Sequence, residues 1–348
     1  MTQSDPRDVA ESLARSCNLG KVEHIEEMDG GGNNRLFRMV FKNQTVVLKH
    51  YFSDQADKRD RLGKEFSFLQ FAWGHKIDIL PQPLAKDPDA NIALYTMVEG
   101  RVMTPDDITD DIMSQTHAFI ASLNALRTKK DATDLSAGSE SCFSLSDHLT
   151  TVDQRMERLS TIDDKSPEGA EARQFVADEL IPFWKALSKS TREAATNAGI
   201  VLSGAISMAD RCLSPSDFGF HNALLDQDGT VRFLDFEYAG WDDPAKLVGD
   251  FFNQVAVPVP HSYLDGFTDA IAALTPNPDA TKTRVKLLLP IYGCKWLCII
   301  LGDFLPVATR RRQFAAAKSP DETAQRQKDQ LAKARRKLDV LHKAMALE

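Results

Sequence analysis

The run Ser214-Pro215-Ser216-Asp217-Phe218-Gly219-Phe220-His221-Asn222 sets an aspartate five residues ahead of an asparagine. Thirteen residues after that asparagine comes Asp235, in Leu234-Asp235-Phe236-Glu237. These residue types at this spacing suit phosphoryl transfer. That reaction needs a carboxylate to orient an attacking hydroxyl and accept its proton. It also needs two further oxygen ligands to hold Mg2+ against the phosphates. The form Asp-x4-Asn puts base and amide on one turn, and an aspartate leaving a hairpin completes the metal site.

Other chemistries find less support. His24, His50, His75, His117, His148, His261 and His342 show no metal-ligand spacing. A Gly-x-Ser-x-Gly elbow is absent from the sequence, as is Cys-x-x-Cys among its five cysteines. Cys294 and Cys298 are four apart and would share a helix face as core thiols. Arg310-Arg311-Arg312 reads as a solvated helix end.

The elements that must position Asp217 and Asp235 are legible on both sides. Residues 7–19 read as a short helix, and 22–28, 35–41 and 46–52 as strands. Asp29-Gly30-Gly31-Gly32-Asn33-Asn34 is a turn between the first two strands. Residues 57–73 carry helical period, with Leu62, Phe66 and Leu69 on one stripe. Pro81 and Pro83 break the chain before a strand at 92–98, and Glu99-Gly100 closes that run. The pattern then turns helical: 108–126, 145–159, 168–187, 246–255, 264–273 and 284–301, with 127–141 as loop. Strands at 223–225 and 231–236 flank the turn 226–230 and lead into Asp235. In the charged tail, 321–347, Leu331, Leu338 and Met345 with Ala334 and Leu341 form a short a/d seam. That seam would pack on its own chain; an oligomer through it is possible and unsupported.

A chain of 348 residues suits two lobes around a shared site. Its 43% hydrophobic and 26% charged content is ordinary globular composition. A net charge of -8 argues against nucleic acid as a partner. Met1–Gly20 carries no basic segment followed by an apolar run, and Pro290, Gly293 and Lys295 interrupt the apolar stretch 287–301. A cytoplasmic protein with no membrane span is therefore expected.

Asp217-x4-Asn222, then Asp235-Phe236-Glu237-Tyr238-Ala239-Gly240 and Asp243-Pro244, resemble the aminoglycoside phosphotransferase and choline/ethanolamine kinase superfamily. The Asp-Phe-Glu-Tyr string is similar to choline kinases, and Gly240 to Ala245 to aminoglycoside phosphotransferases. The resemblance implies Asp217 as catalytic base, with Asn222 and Asp235 as Mg2+ ligands. It implies Gly30, Gly31, Gly32 and Asn33 as phosphate cover, where an ordinary glycine hairpin would look the same. It implies Lys49, in Val46-Val47-Leu48-Lys49, as the phosphate-pairing lysine, held by Glu65; alone, such a lysine reads as an edge-strand charge. Met97 and Val98 would offer backbone to an adenine edge. Glu237, Asp242 and Asp243 stand where acceptor-binding groups lie, or are merely solvated. Asp250 either braces the catalytic loop or is a solvated helix carboxylate. Two departures stand out: Pro215 and Gly219 occupy the places, two before and two after the base, where this family carries histidine.

The expected fold is therefore α+β and protein-kinase-like, bilobal, with a small antiparallel N-lobe (1–98) and a larger, mainly helical C-lobe (99–348). The expected function is an ATP- or GTP-dependent phosphotransferase using Mg2+, acting on a hydroxyl of an aminoglycoside, amino alcohol or sugar. The alternative is a nucleotide-binding pseudokinase with a regulatory role, motivated by Pro215. A protein kinase fits poorly, because only 236–242 separate Asp235 from Asp243-Pro244.

Overall fold

The computed structural model describes residues 6–28, 34–54, 59–306 and 320–345. These form two compact units. One runs through Glu140 and takes in Leu213–Trp241; the other holds Ser141–Cys212 and the helices after Asp242. The glycine run 30–33 and the arginine run 310–312 lie outside the described residues.

The first unit is built on an antiparallel sheet of β1 (Val22–Met28), β2 (Arg35–Phe41), β3 (Gln44–His50), β4 (Pro83–Asp87) and β5 (Ile92–Thr96), in the order β1-β2-β3-β5-β4. Alternation along the strands decides which side chains go where. Phe37, Met39, Phe41, Val46, Leu48, Ile92 and Leu94 form a core with Ala10 and Ala14 of α1 (Pro6–Ser16). Lys49, one residue on from Leu48, points to the opposite face. Its register partners are Leu36 and Ala93. β4 departs from the expected break at Pro83: at the edge of the sheet a proline costs no ladder bond.

The helix α2 (Arg61–Gly74) starts four residues later than its periodicity suggests. Asp60 caps it, accepting the Gly63 N–H at 2.7 Å. Arg61 and Glu65 lie one turn apart on its buried face. After β6 (Arg101–Val102) and α3 (Asp110–Ala125) the chain returns to this unit at Leu213, within β7 (Cys212–Ser214). Asn124 of α3 grips Leu213, donating to its carbonyl at 3.0 Å and accepting its N–H at 2.9 Å. β8 (Ala223–Leu225) and β9 (Val231–Phe233) pair with β6 in the order β6-β8-β9. The strand expected over 231–236 stops at Phe233, because Asp235 adopts φ +63°, which no strand accepts. At Gly240, which opens β10 (Gly240–Asp242), φ is +155° and a Cβ would fall 2.3 Å from the Ser136 carbonyl oxygen. Only glycine fits there.

The second unit is helical: α4 (Leu145–Leu159), α5 (Pro167–Phe175), α6 (Ile181–Asn197), α7 (Pro244–Asn253), α8 (Leu264–Ala272), α9 (Pro278–Leu301) and α10 (Pro320–Met345). The helix expected over 168–187 is divided by a π-helical turn at Val176–Leu180, next to Pro182, whose missing N–H loosens the ladder there. α9 carries the helix expected over 284–301 and begins earlier, at Pro278. It runs unbroken through Pro290, and by length and composition the segment Pro278–Phe304 could cross a membrane. In this protein 67% of its apolar window is buried, the pattern of a core helix. It packs against α4, α6, α7, α8 and α10. A Cβ on Gly249 would meet the Tyr292 ring at 2.7 Å, so α7 and α9 approach closely. The seam residues Leu331, Ala334, Leu338 and Leu341 of α10 are buried within this one chain.

Candidate active site

The first unit contains a buried ammonium ringed by carboxylates. Lys49 Nζ donates to Glu65 Oε2 and Asp235 Oδ1, both at 2.7 Å. Burial alone would lower its pKa, but Asp235, Glu65 and Glu237 together raise it well above the ordinary lysine value. Glu65 is used at both oxygens. Tyr51 donates to Oε2 at 2.7 Å, and the Phe236 N–H to Oε1 at 3.2 Å. One α2 carboxylate thus fixes the lysine and the backbone just after Asp235.

Asp235 differs from the other two carboxylates. Its side chain is 33% exposed, against 4% for Glu65 and 0% for Glu237. A left-handed backbone at an aspartate is uncommon, and such conformations concentrate at functional sites. The surroundings hold it there. Phe236 stacks on Phe68 at 5.4 Å, and Phe233 on Phe119 at 4.7 Å.

The loop around Asp217 shows the same construction. Phe218, directly after Asp217, packs on Phe119 and Phe233 at 6.1 and 5.2 Å. Ser216, directly before it, has φ +69°. Around Pro215 the loop is shaped by hydrogen bonds. The Ser214 hydroxyl accepts the Ser216 N–H at 2.9 Å, and Asn222 Nδ2 donates to the Asp217 carbonyl at 3.0 Å. The Leu234 N–H donates to the Asn222 carbonyl at 2.8 Å, joining the Asp217 loop to the Asp235 turn. His221 Nε2 lies 3.2 Å from Asp217 Oδ1.

Mg2+ takes oxygen ligands. Asp235 offers a partly exposed carboxylate. Asn222 spends its NH2 on Asp217, and its amide oxygen is the end suited to a hard cation. Both residues therefore fit the role. Glu65, Asp235 and Glu237 also bring ligand atoms within 4.8 Å of one another. Two cations already serve that cluster: the Lys49 ammonium at Glu65 and Asp235, and the Arg61 guanidinium at Glu237.

The remaining sequence-derived residues fall in different places. Met97 and Val98 are half-buried, and the Met97 N–H makes a long 3.4 Å bond to the Thr45 carbonyl. Gly30, Gly31, Gly32 and Asn33 lie outside the described residues. Glu237 is buried, accepting from Asn34 Nδ2 at 2.7 Å with Arg61 Nε 3.4 Å away; burial pushes its carboxyl up. Asp242 and Asp243 are also fully buried. Asp242 pairs with Lys246 at 2.6 Å, while Asp243 caps α7 through the Ala245 N–H and pairs with His148 and Arg284. None of these three presents a carboxylate to solvent. The partners of Asp250 are Lys246, Lys295 and Trp296, all within the second unit. Sequence reasoning missed Asn34 and Arg61. The only signals were a polar residue closing the glycine run and a cation one turn before Glu65.

Residues 24–282 match the phosphotransferase enzyme family. The chain belongs to that family. Its class is therefore that of the small-molecule kinases. Solved structures agree on the fold. A choline kinase from Cryptosporidium parvum Iowa II is 12% identical over 89% of this chain and 90% of its own, with TM-score 0.54. The phosphotransferase APH(2")-IIa, solved as a ternary complex with streptomycin and ATP, is 14% identical over 90% and 100%, with TM-score 0.56. An ethanolamine kinase from Plasmodium vivax is 13% identical over 89% and 81%, with TM-score 0.53. At such identities the likeness establishes the α+β protein-kinase-like fold of the family. No curated protein matches the chain in sequence.

Proposed function

We propose that this phosphotransferase moves the γ-phosphoryl group of ATP or GTP, bound with Mg2+, to a hydroxyl of a small aminoglycoside, amino alcohol or sugar in the cytoplasm. Residues 1–98 would cover the nucleotide, with Gly30, Gly31, Gly32 and Asn33 at the phosphates and Met97 and Val98 at the base. Residues 99–348 would carry the catalytic loop and the acceptor site. Lys49 would neutralise phosphate charge, Asn222 and Asp235 would hold Mg2+, and Asp217 would orient the acceptor hydroxyl and take its proton. Bound Mg2+ would supply charge neutralisation at the phosphates.

One observation carries this reading. Of the three carboxylates around Lys49, Asp235 alone is partly exposed, and it is held in a left-handed conformation beside a loop that ends in Asn222. The burial of Glu237, Asp242 and Asp243 favours bracing roles for them over acceptor binding.

The test is thermal-shift titration with ATP, GTP and ADP, with and without Mg2+, on wild type and Asp235→Ala. A Mg2+-dependent rise in melting temperature, lost in the variant, is the expected result. No rise with any nucleotide would overturn the proposal. Binding followed by no turnover on any hydroxyl acceptor would favour the pseudokinase.

A further inference from the structure

We propose that His221 is the positioning residue for the catalytic base. The inference rests on Asp217 being that base. The 3-10 turn Phe220–Asn222 folds His221 back over the residue four before it, bringing Nε2 to 3.2 Å from Asp217 Oδ1. Both ends of this contact are anchored. Phe218 and Phe220 are buried on either side, and Asn222 ties its amide to the Asp217 carbonyl. The imidazole is largely covered, at 17% exposure, while the Asp217 side chain is 36% exposed.

A carboxylate that exposed turns freely unless a donor fixes its plane, and a base loosely held loses much of its value. A proton on Nε2, donated to Oδ1, fixes that plane and with it the direction in which Oδ2 faces an acceptor hydroxyl. His221 touches neither nucleotide nor acceptor in this role. It acts through Asp217.

The test follows ADP release from MgATP, with water as acceptor, in wild type, His221→Ala, His221→Gln, Asp217→Asn and the double variant His221→Ala/Asp217→Asn. For His221→Ala the expected result is a kcat lower by about ten- to a hundredfold, less than the full worth of a positioned base, with KM for MgATP unchanged. His221→Gln keeps a donor and should recover most of the loss. The double variant should be no worse than Asp217→Asn. A residue that merely shaped the loop would displace Asn222 too, raising KM for MgATP together with the fall in kcat. That pattern would overturn the inference, as would an unchanged kcat in His221→Ala alongside an inactive Asp217→Asn. Full activity in Asp217→Asn would instead remove the base assignment itself. A second readout needs no turnover: 1H–15N spectra of histidine-labelled protein should show His221 protonated at Nε2, with that preference lost in Asp217→Asn. An Nδ1-protonated tautomer in the wild type would sink the idea.

Discussion

Each unit of this protein buries a network of charges, and the two networks are built to opposite ends. In the second, every carboxylate is sealed. Asp243 accepts from the Ala245 N–H and pairs with His148 and Arg284, and His148 Nδ1 reaches the Tyr292 hydroxyl at 2.8 Å. Asp242 and Asp250 share Lys246, and Asp250 also holds Lys295 and the Trp296 indole N–H. In the first, Glu65 and Glu237 are sealed and Asp235 is left partly open on a strained backbone. A sealed network locks helices together. A network with one carboxylate left open can change partners, as the proposed binding of a metal–nucleotide complex would require. The contrast separates residues that short motifs treat alike, since Asp235, Glu237, Asp242 and Asp243 all stand within nine residues.

Four measurements would break or sharpen this contrast. Asp235→Ala should cut turnover about a thousandfold or more, the order for removing a preorganised charge contact, and leave the melting temperature nearly unchanged. A large loss of stability instead would place Asp235 with the sealed carboxylates. Asp243→Ala should do the reverse. Stripping one partner from a buried ion pair costs about 3–5 kcal/mol, so denaturant titration should show a stability loss of that order, while the molecules still folded keep their turnover. The third test is pH. Burial would lower the His148 pKa, but the Asp243 hydrogen bond and the nearby Cys142 push it up to about 9. Its stabilisation is full below the unfolded value of about 6.5 and is lost as pH rises through 9, up to about 3 kcal/mol in all. Asp243 is shifted the other way: burial opposes, yet His148 and Arg284 bring it down to about 2. Its contribution is present above the unfolded value near 3.9 and fades as pH falls toward 2. Stability that stayed flat in wild type from pH 6 to 9, while turnover varied, would contradict the His148 assignment. The smallest effect belongs to Glu237→Gln, which keeps an acceptor for Asn34 and loses only the charge facing Arg61. Burial already raises that carboxyl, so losing its charge should cost less stability than Asp243→Ala and leave the acceptor KM unchanged. A several-fold rise in that KM would return Glu237 to the acceptor site.

Much of this was legible in the sequence because the relevant signals are local. Strand alternation around Val46–Lys49 and the helical period over 57–73 put Lys49 and Glu65 on elements that the structure contains. The family motif marks Asp217, Asn222 and Asp235 by spacing alone. What stayed hidden depends on partners far along the chain. Asn34 and Glu237 are 203 residues apart, and no periodicity links them. The burial of Asp242 and Asp243 is likewise set by Lys246, His148 and Arg284, two of them on other helices. β4 departs from the sequence reading because Pro83 reads as a local breaker, when its position on the edge of the sheet decides the outcome.

The continuity of α9 also bears on motion. Five other helices of the second unit lean on it, and its buried Lys295 and Trp296 are bonded into the Asp250 network of α7. No helix among those five can detach without exposing part of this rod, so the unit should open as a single cooperative block. Amide protons along α4, α7 and α9 should then exchange with solvent deuterium at one common, slow rate, with no graded series of local fraying steps.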